Sequence, residues 1–299
     1  MGHNHPMTEY AVVHGPRSGR RGAGAVGVRI SEQLRAAGHP VLELEAGTVD
    51  GAREACRRAV AEGVETLVAV GGDGVVQLAA NSLVGTGTAL GIVPAGTGND
   101  NARSLNIPLD TEDALATLLG GHRRSIDLIR VDPLDRHVVG SVPCGLDALI
   151  AARAATLPRW LGAQSYTVAT LPEVVRLRPM AYQLQLDDRV LETRALVVAV
   201  CNMPVYGGGM RIAPDADPGD GLLDVLIIEP VSARAAVGLL RGVFSGRHTS
   251  HPAVRVERAA RVRVAGPALT AHGDGDALCP LPVECTTVPD AIEVVVPQT

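Results

Sequence analysis

Two apolar runs, each leading into a glycine-rich turn, constrain this chain more than any other feature. Thr66-Leu67-Val68-Ala69-Val70 runs into Gly71-Gly72-Asp73-Gly74. Ala89-Leu90-Gly91-Ile92-Val93 leads through Pro94-Ala95 into Gly96-Thr97-Gly98-Asn99-Asp100. An apolar run that ends in glycines reads as a buried strand opening into a backbone-rich loop, and α/β proteins hold phosphates at such strand ends. Two such loops close together, each with an Asp, predict one nucleotide site built from neighbouring strands. Either turn alone is weak evidence, because Gly-Gly and Asp-Gly are also ordinary turn dipeptides.

The surrounding sequence supports parallel strands. Tyr10–Val13 reads as a strand, Gly15–Arg21 as a polar glycine-containing turn, and Ala25–Ala37 as a helix stopping at Gly38. A strand over Val41–Leu44 and a helix over Gly51–Glu62 follow, with Gly63 as C-cap. Helices are predicted over Val75–Leu83, Asn101–Leu105 and from an Asp110 N-cap through Leu119. This β/α alternation predicts a doubly wound α/β domain over residues 1–127.

After Ser125-Ile126-Asp127 the texture changes. Leu128–Asp132, His137–Pro143, Tyr182–Leu186, Leu191–Cys201, Asp224–Ile228, Val254–Arg258 and Ala260–Val264 are β-like runs punctuated by proline and glycine. Helical stretches fall near Leu146–Ala155, Tyr166–Arg176 and Ala233–Phe244. Residues 128–290 therefore read as a second domain, β-rich and mainly antiparallel. At 299 residues the chain is long enough for two medium domains.

Charge and cysteines narrow the function classes. A net charge of −5 argues against a nucleic-acid binder with a basic surface. The chain contains no lysine, so any cationic contact to a phosphate is made by arginine, as a planar fork. Aromatics amount to one Phe, one Trp and four Tyr, which leaves the core to Val, Leu, Ile and Ala. No apolar run is long enough to span a bilayer, no signal-peptide pattern is seen, and no amphipathic basic helix stands out. Cys56, Cys144, Cys201, Cys279 and Cys285 are odd in number with no CxxC spacing, which fits reduced thiols in a cytoplasmic protein.

The ordered set of motifs resembles the diacylglycerol kinase catalytic family, bacterial lipid kinases related to sphingosine and ceramide kinases and, more distantly, to NAD kinases. The resemblance runs from His14-Gly15-Pro16-Arg17-Ser18-Gly19 through Gly71–Gly74 and the long run Leu90–Arg103. It continues through Tyr206-Gly207-Gly208-Gly209 and Asp217-Pro218-Gly219-Asp220-Gly221-Leu222-Leu223-Asp224 to Gly273-Asp274-Gly275-Asp276. It implies a nucleotide-binding α/β domain, a β-rich sandwich-like domain that takes the acceptor, and a tail over 291–299 that returns to the first domain.

The resemblance also implies an ATP- and Mg²⁺-dependent phosphotransferase acting on the hydroxyl of diacylglycerol or a similar lipid. Ser18, Gly19, Arg20, Gly71, Gly72, Asp73, Gly74, Gly96, Thr97, Gly98, Asn99 and Asp100 would hold the nucleotide. The chemistry agrees, since phosphoryl transfer needs positioning and charge neutralisation, and glycines admit backbone N–H groups close to a polyphosphate. Asp274 matches the family's general base, with Asp276 where the family has Glu. Asp217, Asp220 and the carbonyl of Leu222 match a structural Mg²⁺ site whose oxygen ligands suit a hard cation. On residue grounds alone, Asp274-Gly275 is equally an Asp-Gly hairpin turn, and Asp217–Asp224 a surface turn before a strand.

Three departures from the family pattern stand out. His14 replaces Asn, Val75 replaces Thr with Leu78 in place of a common Glu, and Asn101 replaces an aromatic or His and is expected at the rim of the cleft. An apolar acceptor would need an apolar cleft, for which Trp160, Leu161 and Tyr166 are candidates. Two alternatives stay open: a kinase of the same fold acting on a soluble or specialised hydroxyl metabolite, and a non-catalytic nucleotide or lipid sensor. Peripheral contact with the inner face of the membrane and homodimerisation are left open as associations.

Overall fold

The computed structural model describes residues 9–15, 22–144 and 178–298. The element order is β1 (Tyr10–His14), α1 (Ala23–Ala36), β2 (Val41–Leu44), α2 (Val49–Ala61), β3 (Thr66–Gly71), α3 (Asp73–Ala80), β4 (Ala89–Pro94), α4 (Asp100–Ser104) and α5 (Thr111–Gly120). There follow β5 (His122–Asp132), β6 (Arg136–Val138), β7 (Ser141–Pro143), β8 (Met180–Leu186), β9 (Arg189–Ala195), β10 (Val197–Cys201) and β11 (Leu223–Ile228). Then come α6 (Ala233–Val243), a 3-10 turn (Arg247–Ser250), β12 (Val254–Ala259), β13 (Arg261–Ala265), β14 (Thr270–Gly273), β15 (Asp276–Pro280) and β16 (Val283–Val296). The chain divides into two compact units, one of residues 1–126 with 290–299, the other of residues 127–289.

In the first unit β2, β1, β3 and β4 are adjacent and parallel, and β16 joins beside β4 with Val294 opposite Leu90. β1, β3 and β4 are almost wholly apolar and buried, as expected of strands covered on both faces, while β2 at the sheet edge buries only Leu44. Ile30 and Leu34 of α1 lie fully buried with Leu67, Val68, Leu90 and Ile92. The chain leaves β1 towards β2 on one side and returns to β3 on the other. That reversal puts a topological switch point at the C-terminal ends of β1 and β3, where ligands bind in open α/β sheets. The Gly71–Gly74 turn is at this end. The turn after β1 falls largely on Pro16–Arg21, so Ser18, Gly19 and Arg20 lie outside the described residues.

The second unit is β-rich. β12, β11, β10 and β7 form one antiparallel sheet, while β13 pairs with β16 and β8, and β8 with β9. Alternate residues of β8, Tyr182, Leu184 and Leu186, are buried with Val262 and Val264 of β13 against Val200, Val225 and Ile227 of the other sheet. That is the inner face of a sandwich. A second cluster packs Leu239 and Val243 of α6 on Ala199 and Leu226.

Several expected runs are broken. The strand predicted over His137–Pro143 splits at Val139-Gly140, because these backbone N–H groups are drawn out of the ladder to another partner. Leu191–Cys201 splits at Leu196, where the chain passes from the β8–β9 ladder into the β10–β11 one. β16 and the β14–β15 hairpin were not among the predicted strands. The helices predicted over Leu146–Ala155 and Tyr166–Arg176, and the acceptor candidates Trp160, Leu161 and Tyr166, lie outside the described residues.

Candidate active site

The two glycine turns of the first unit touch through their backbones. A Cβ on Gly96 would lie 2.3 Å from the Cα of Gly72, and one on Gly72 would lie 3.2 Å from the Cα of Gly96. Only glycine at both positions permits this approach. The Gly71 carbonyl accepts from the Ala95 N–H at 2.9 Å, extending the β3–β4 pairing into the turns. Asn99, in the left-handed region at φ 55°, closes the second turn on itself. Its Oδ1 accepts from the Gly96 N–H at 2.9 Å and its Nδ2 donates to the Gly96 carbonyl at 3.0 Å.

Asp73 locks one loop to the other. It opens α3, and its Oδ1 accepts the Asn101 N–H of α4 at 2.9 Å. The other oxygen of Asp73 and a carboxylate oxygen of Asp100 lie 3.1 and 3.5 Å from where a Cβ on Gly98 would sit. Two acidic side chains thus converge on Gly98, where the second turn has no side chain to fill the space. Gly96 and Thr97 are exposed above them. The surface combines backbone of two glycine turns, the N-terminus of α3 and paired carboxylates, which suits a polyphosphate carried with a divalent cation.

The departures acquire locations. Val75 lays a methyl over Gly71, where a Cβ would come within 2.7 Å of its Cγ2, so the apolar residue closes the base of the loop. The His14 ring packs on Gly27 of α1. Asn101 corrects the expectation of a rim position: the α4 turn rolls it inward, and it is 1% exposed. A cavity of about 730 Å³ bordered by Arg57, Val64, Glu65, Thr88 and Arg123 lies at the N-terminal ends of β3 and β4, away from the glycine turns.

In the second unit Asp274 sits at the tip of the β14–β15 hairpin. Gly273 pairs with Asp276, and Asp274 and Gly275 take φ values of 45° and 92°. Two positive φ angles in a two-residue loop are those of a type I′ turn. The turn and the functional placement coincide, for the hairpin presents Asp274 to the β6–β7 break. Its Oδ2 accepts the Val139 N–H at 2.9 Å and its Oδ1 the Gly140 N–H at 3.0 Å. Asp276 points elsewhere and pairs with Arg136 of β6 at 2.7 Å.

Asn202 and Asp127, which sequence reasoning missed as site residues, support this arrangement. The Nδ2 of Asn202 donates to the Asp127 carbonyl at 2.8 Å and to the Val139 carbonyl at 3.0 Å. The N–H groups of Asn202 and Met203 both donate to the Gly140 carbonyl, at 2.9 and 3.1 Å. Asp127 is buried, and its carboxylate accepts the Gly221 N–H at 2.8 Å while its own N–H donates to Pro218. One hydrogen-bonded path therefore joins the Asp217–Asp224 loop to the backbone that holds Asp274. The available signal was chemical: an Asp inside the apolar run Ile126–Ile129, and an Asn closing the apolar strand β10, are polar groups that burial obliges to find partners.

The Asp217–Asp224 loop is rich in carboxylates. Asp217 accepts from Gly219 at 3.1 Å, and Asp220 accepts from Leu222 at 3.0 Å while also pairing with Arg258. Asp224 is buried, and its carboxyl is pushed up to about 6, chiefly by burial, against the opposing pull of Arg258. Asp220 and Asp215 push it further the same way. Oxygen donors with an excess of negative charge fit a divalent cation, although Arg258 already engages one oxygen of Asp220. Among the described residues no three His, Cys, Asp or Glu side chains gather as a preformed metal cluster. Among them, too, no helix is long and apolar enough to cross a membrane.

Comparison with known proteins agrees with this layout. Residues 9–131 match the diacylglycerol kinase catalytic domain, and residues 140–296 match the YegS C-terminal NAD kinase beta sandwich-like domain. A diacylglycerol kinase of Mycobacterium tuberculosis is 35% identical over 98% of this chain and 97% of its own. A probable YegS-like lipid kinase of Xanthomonas oryzae is 31% identical over 73% of this chain and 74% of its own. A crystal structure of a putative diacylglycerol kinase from Bacillus anthracis superposes with a TM-score of 0.81 over 98% of both chains, at 19% identity, which establishes the shared fold. The motif order, the α/β unit followed by the sandwich, and these matches together make the chain a member of the diacylglycerol kinase family of lipid kinases.

Proposed function

We propose that this kinase transfers the γ-phosphoryl group of ATP to the hydroxyl of a diacylglycerol-like lipid, giving the lipid phosphate and ADP. The observation that carries this reading is the anchoring of Asp274, whose carboxylate is held by two backbone N–H groups at a hairpin tip. The two donors fix where the carboxylate points, and a carboxylate held in place can accept the proton of a hydroxyl brought beside it. As the acceptor oxygen bonds to the γ-phosphorus, its proton passes to Asp274 and the bond to the β-phosphate oxygen breaks.

The glycine turns of the first unit bind the nucleotide in this reading. Gly71, Gly72, Gly74, Gly96 and Gly98 offer close backbone approach, and Thr97 offers a hydroxyl. Asp73, besides tying the turns together, faces Gly98 with Asp100 and would engage the cation that accompanies ATP. Mg²⁺ supplies charge neutralisation when bound there. A second Mg²⁺ would be held by Asp217, Asp220 and the Leu222 carbonyl, where it would offset the negative charge of that loop. Asp276 acts at one remove, orienting Arg136 beside the hairpin.

The test is direct. Purified protein with labelled ATP, Mg²⁺ and diacylglycerol in detergent micelles should yield labelled phosphatidic acid. Label transferred only to soluble alcohols from a parallel acceptor panel would overturn the lipid assignment. ATP binding by calorimetry without transfer to any acceptor would overturn the kinase assignment.

A further inference from the structure

The region between Glu229 and Glu257 contains no Asp or Glu, while Arg234, Arg241, Arg247 and Arg255 all lie within it. Arg255 is neutralised by Glu229 and Glu257, at 3.5 and 2.7 Å. Arg234 and Arg241 form no ion pair or hydrogen bond with any described residue, and Arg247 reaches only the Ser245 hydroxyl, at 3.2 Å. Unpaired arginines on a chain of net charge −5 mark a local reversal of sign.

Their placement is regular. α6 buries Ala236, Leu239 and Val243 against the sandwich and leaves Arg234, Gly238 and Arg241 exposed. Residues seven apart share a helix face, and residues three apart are neighbours on it. Arg241 is followed three positions later by Phe244, the chain's single phenylalanine, which caps the helix and is 42% exposed. Arg211 is also exposed, and its N–H donates to the Val243 carbonyl at 2.9 Å. α6 is thus an amphipathic basic helix, although none stands out in the sequence.

We propose that the outer face of α6, with Phe244 at its end, docks on anionic phospholipid bilayers. The proposal rests on the lipid acceptor proposed above. A basic helix face with an aromatic side chain beside it is the chemistry of interfacial binding: the guanidinium groups meet lipid phosphates and the ring enters the acyl boundary. Charge complementarity selects a bilayer rich in anionic lipid over a neutral one. The short face and its single aromatic anchor make the attachment reversible and sensitive to salt.

Co-sedimentation with vesicles of equimolar phosphatidylcholine and phosphatidylglycerol, in parallel with phosphatidylcholine alone, tests it. The protein should sediment with the anionic vesicles, stay in solution with the neutral ones, and be released by salt. Arg234→Gln with Arg241→Gln should weaken the partition about thirtyfold. Phe244→Ser should weaken it about tenfold. Both variants should retain wild-type phosphorylation of a short-chain diacylglycerol dispersed as monomers and lose rate on the same lipid class embedded in vesicles. Equal sedimentation with both vesicle types, none with either, or unchanged binding by the variants would overturn the docking face. So would a dimer in sedimentation velocity that Phe244→Ser dissociates while vesicle binding is absent. Intact vesicle binding with no turnover of short-chain diacylglycerol would instead strike the acceptor assignment and leave the docking face standing.

Discussion

The Oδ1 of Asp274 receives the backbone N–H of Gly140 from a break between two strands, at 3.0 Å. That contact and its neighbour from Val139 at 2.9 Å give each carboxylate oxygen a main-chain donor, so the hairpin tip is tied to the strand break through Asp274. Asp274→Asn is the informative replacement. Asn tolerates the positive φ of this position as well as Asp does and keeps an acceptor oxygen. Turnover should fall about a thousandfold, while stability should fall by only about 1–2 kcal/mol. Steady-state kinetics and urea unfolding of the same preparation check both. Wild-type turnover would remove Asp274 from the reaction.

The contact between Gly72 and Gly96 predicts an intolerance unrelated to glycine's flexibility. A methyl group on Gly96 would have to push Gly72 away by more than an ångström. Gly96→Ala should reduce kcat/KM for ATP by about a hundredfold, with a stability loss of about 1–3 kcal/mol. Gly47→Ala is the control, since a Cβ there meets nothing within 4 Å. Equal nucleotide affinity in the two variants would separate the glycine contact from binding.

Asn202 should behave as a keystone that never touches substrate. Its side chain satisfies the carbonyls of Asp127 and Val139, both far from it in sequence, and it is 1% exposed. Asn202→Ala leaves both buried carbonyls short of a donor, at a cost of about 2–4 kcal/mol. Because Val139 also holds Asp274, kcat should drop with KM for ATP unchanged. A variant that unfolds early but turns over normally would confine Asn202 to stability.

How much of this could be read from the chain divides along a physical line. The glycine turns and parallel strands were legible because each depends on residues adjacent in sequence: an apolar run, then glycines. The type I′ turn at Asp274-Gly275 was legible for the same reason. Illegible were the features decided by distant partners. Val139-Gly140 has the composition of a strand and leaves the ladder because Asp274 takes its N–H groups. Asp127 and Asn202 matter through carbonyls that sequence does not place nearby. Asn101 belongs to a glycine-turn motif, yet a short helix carries it into the interior.

A pH dependence follows from His248. Its Nε2 donates to the Ile212 carbonyl at 3.1 Å, and its buried Nδ1 has no partner among the described residues. Burial pushes the imidazole below its usual range, against a smaller upward effect of the Ile212 bond. Protonation would bury a charge and an unanswered donor, so the unfolded chain binds the proton more readily. Stability should therefore decline as pH falls through about 6.5. His137, lowered mainly by its own burial, adds to the same trend. His248→Gln should flatten part of the decline in urea midpoint between about pH 8 and pH 5. An unchanged slope would assign the effect elsewhere.

The thiols should differ sharply in reactivity. Burial pushes Cys56 up to about 12 and raises Cys285 further, and Cys144 and Cys201 are also buried. Cys279 alone is partly exposed. A thiol-specific chromogenic reagent should titrate Cys279 in the native protein and all five cysteines in urea. Rapid modification of Cys56 in the native state would contradict the burial of α2 against its sheet.

The last strand has a consequence for the order in which this molecule can be completed. β16 carries residues 290–296 into the parallel sheet beside β4, and Glu293 and Gln298 bind Arg123 and the Gly120 carbonyl there. The first unit is therefore discontinuous in the chain, with the whole second unit inserted before its final strand. On a ribosome the nucleotide-binding sheet emerges first and must wait, one edge unpaired, until everything after it has been made. A fragment ending near residue 126 would inherit that open edge permanently. Dissection of the two units calls for a circular permutant that moves residues 290–298 ahead of Glu9, not for a truncation.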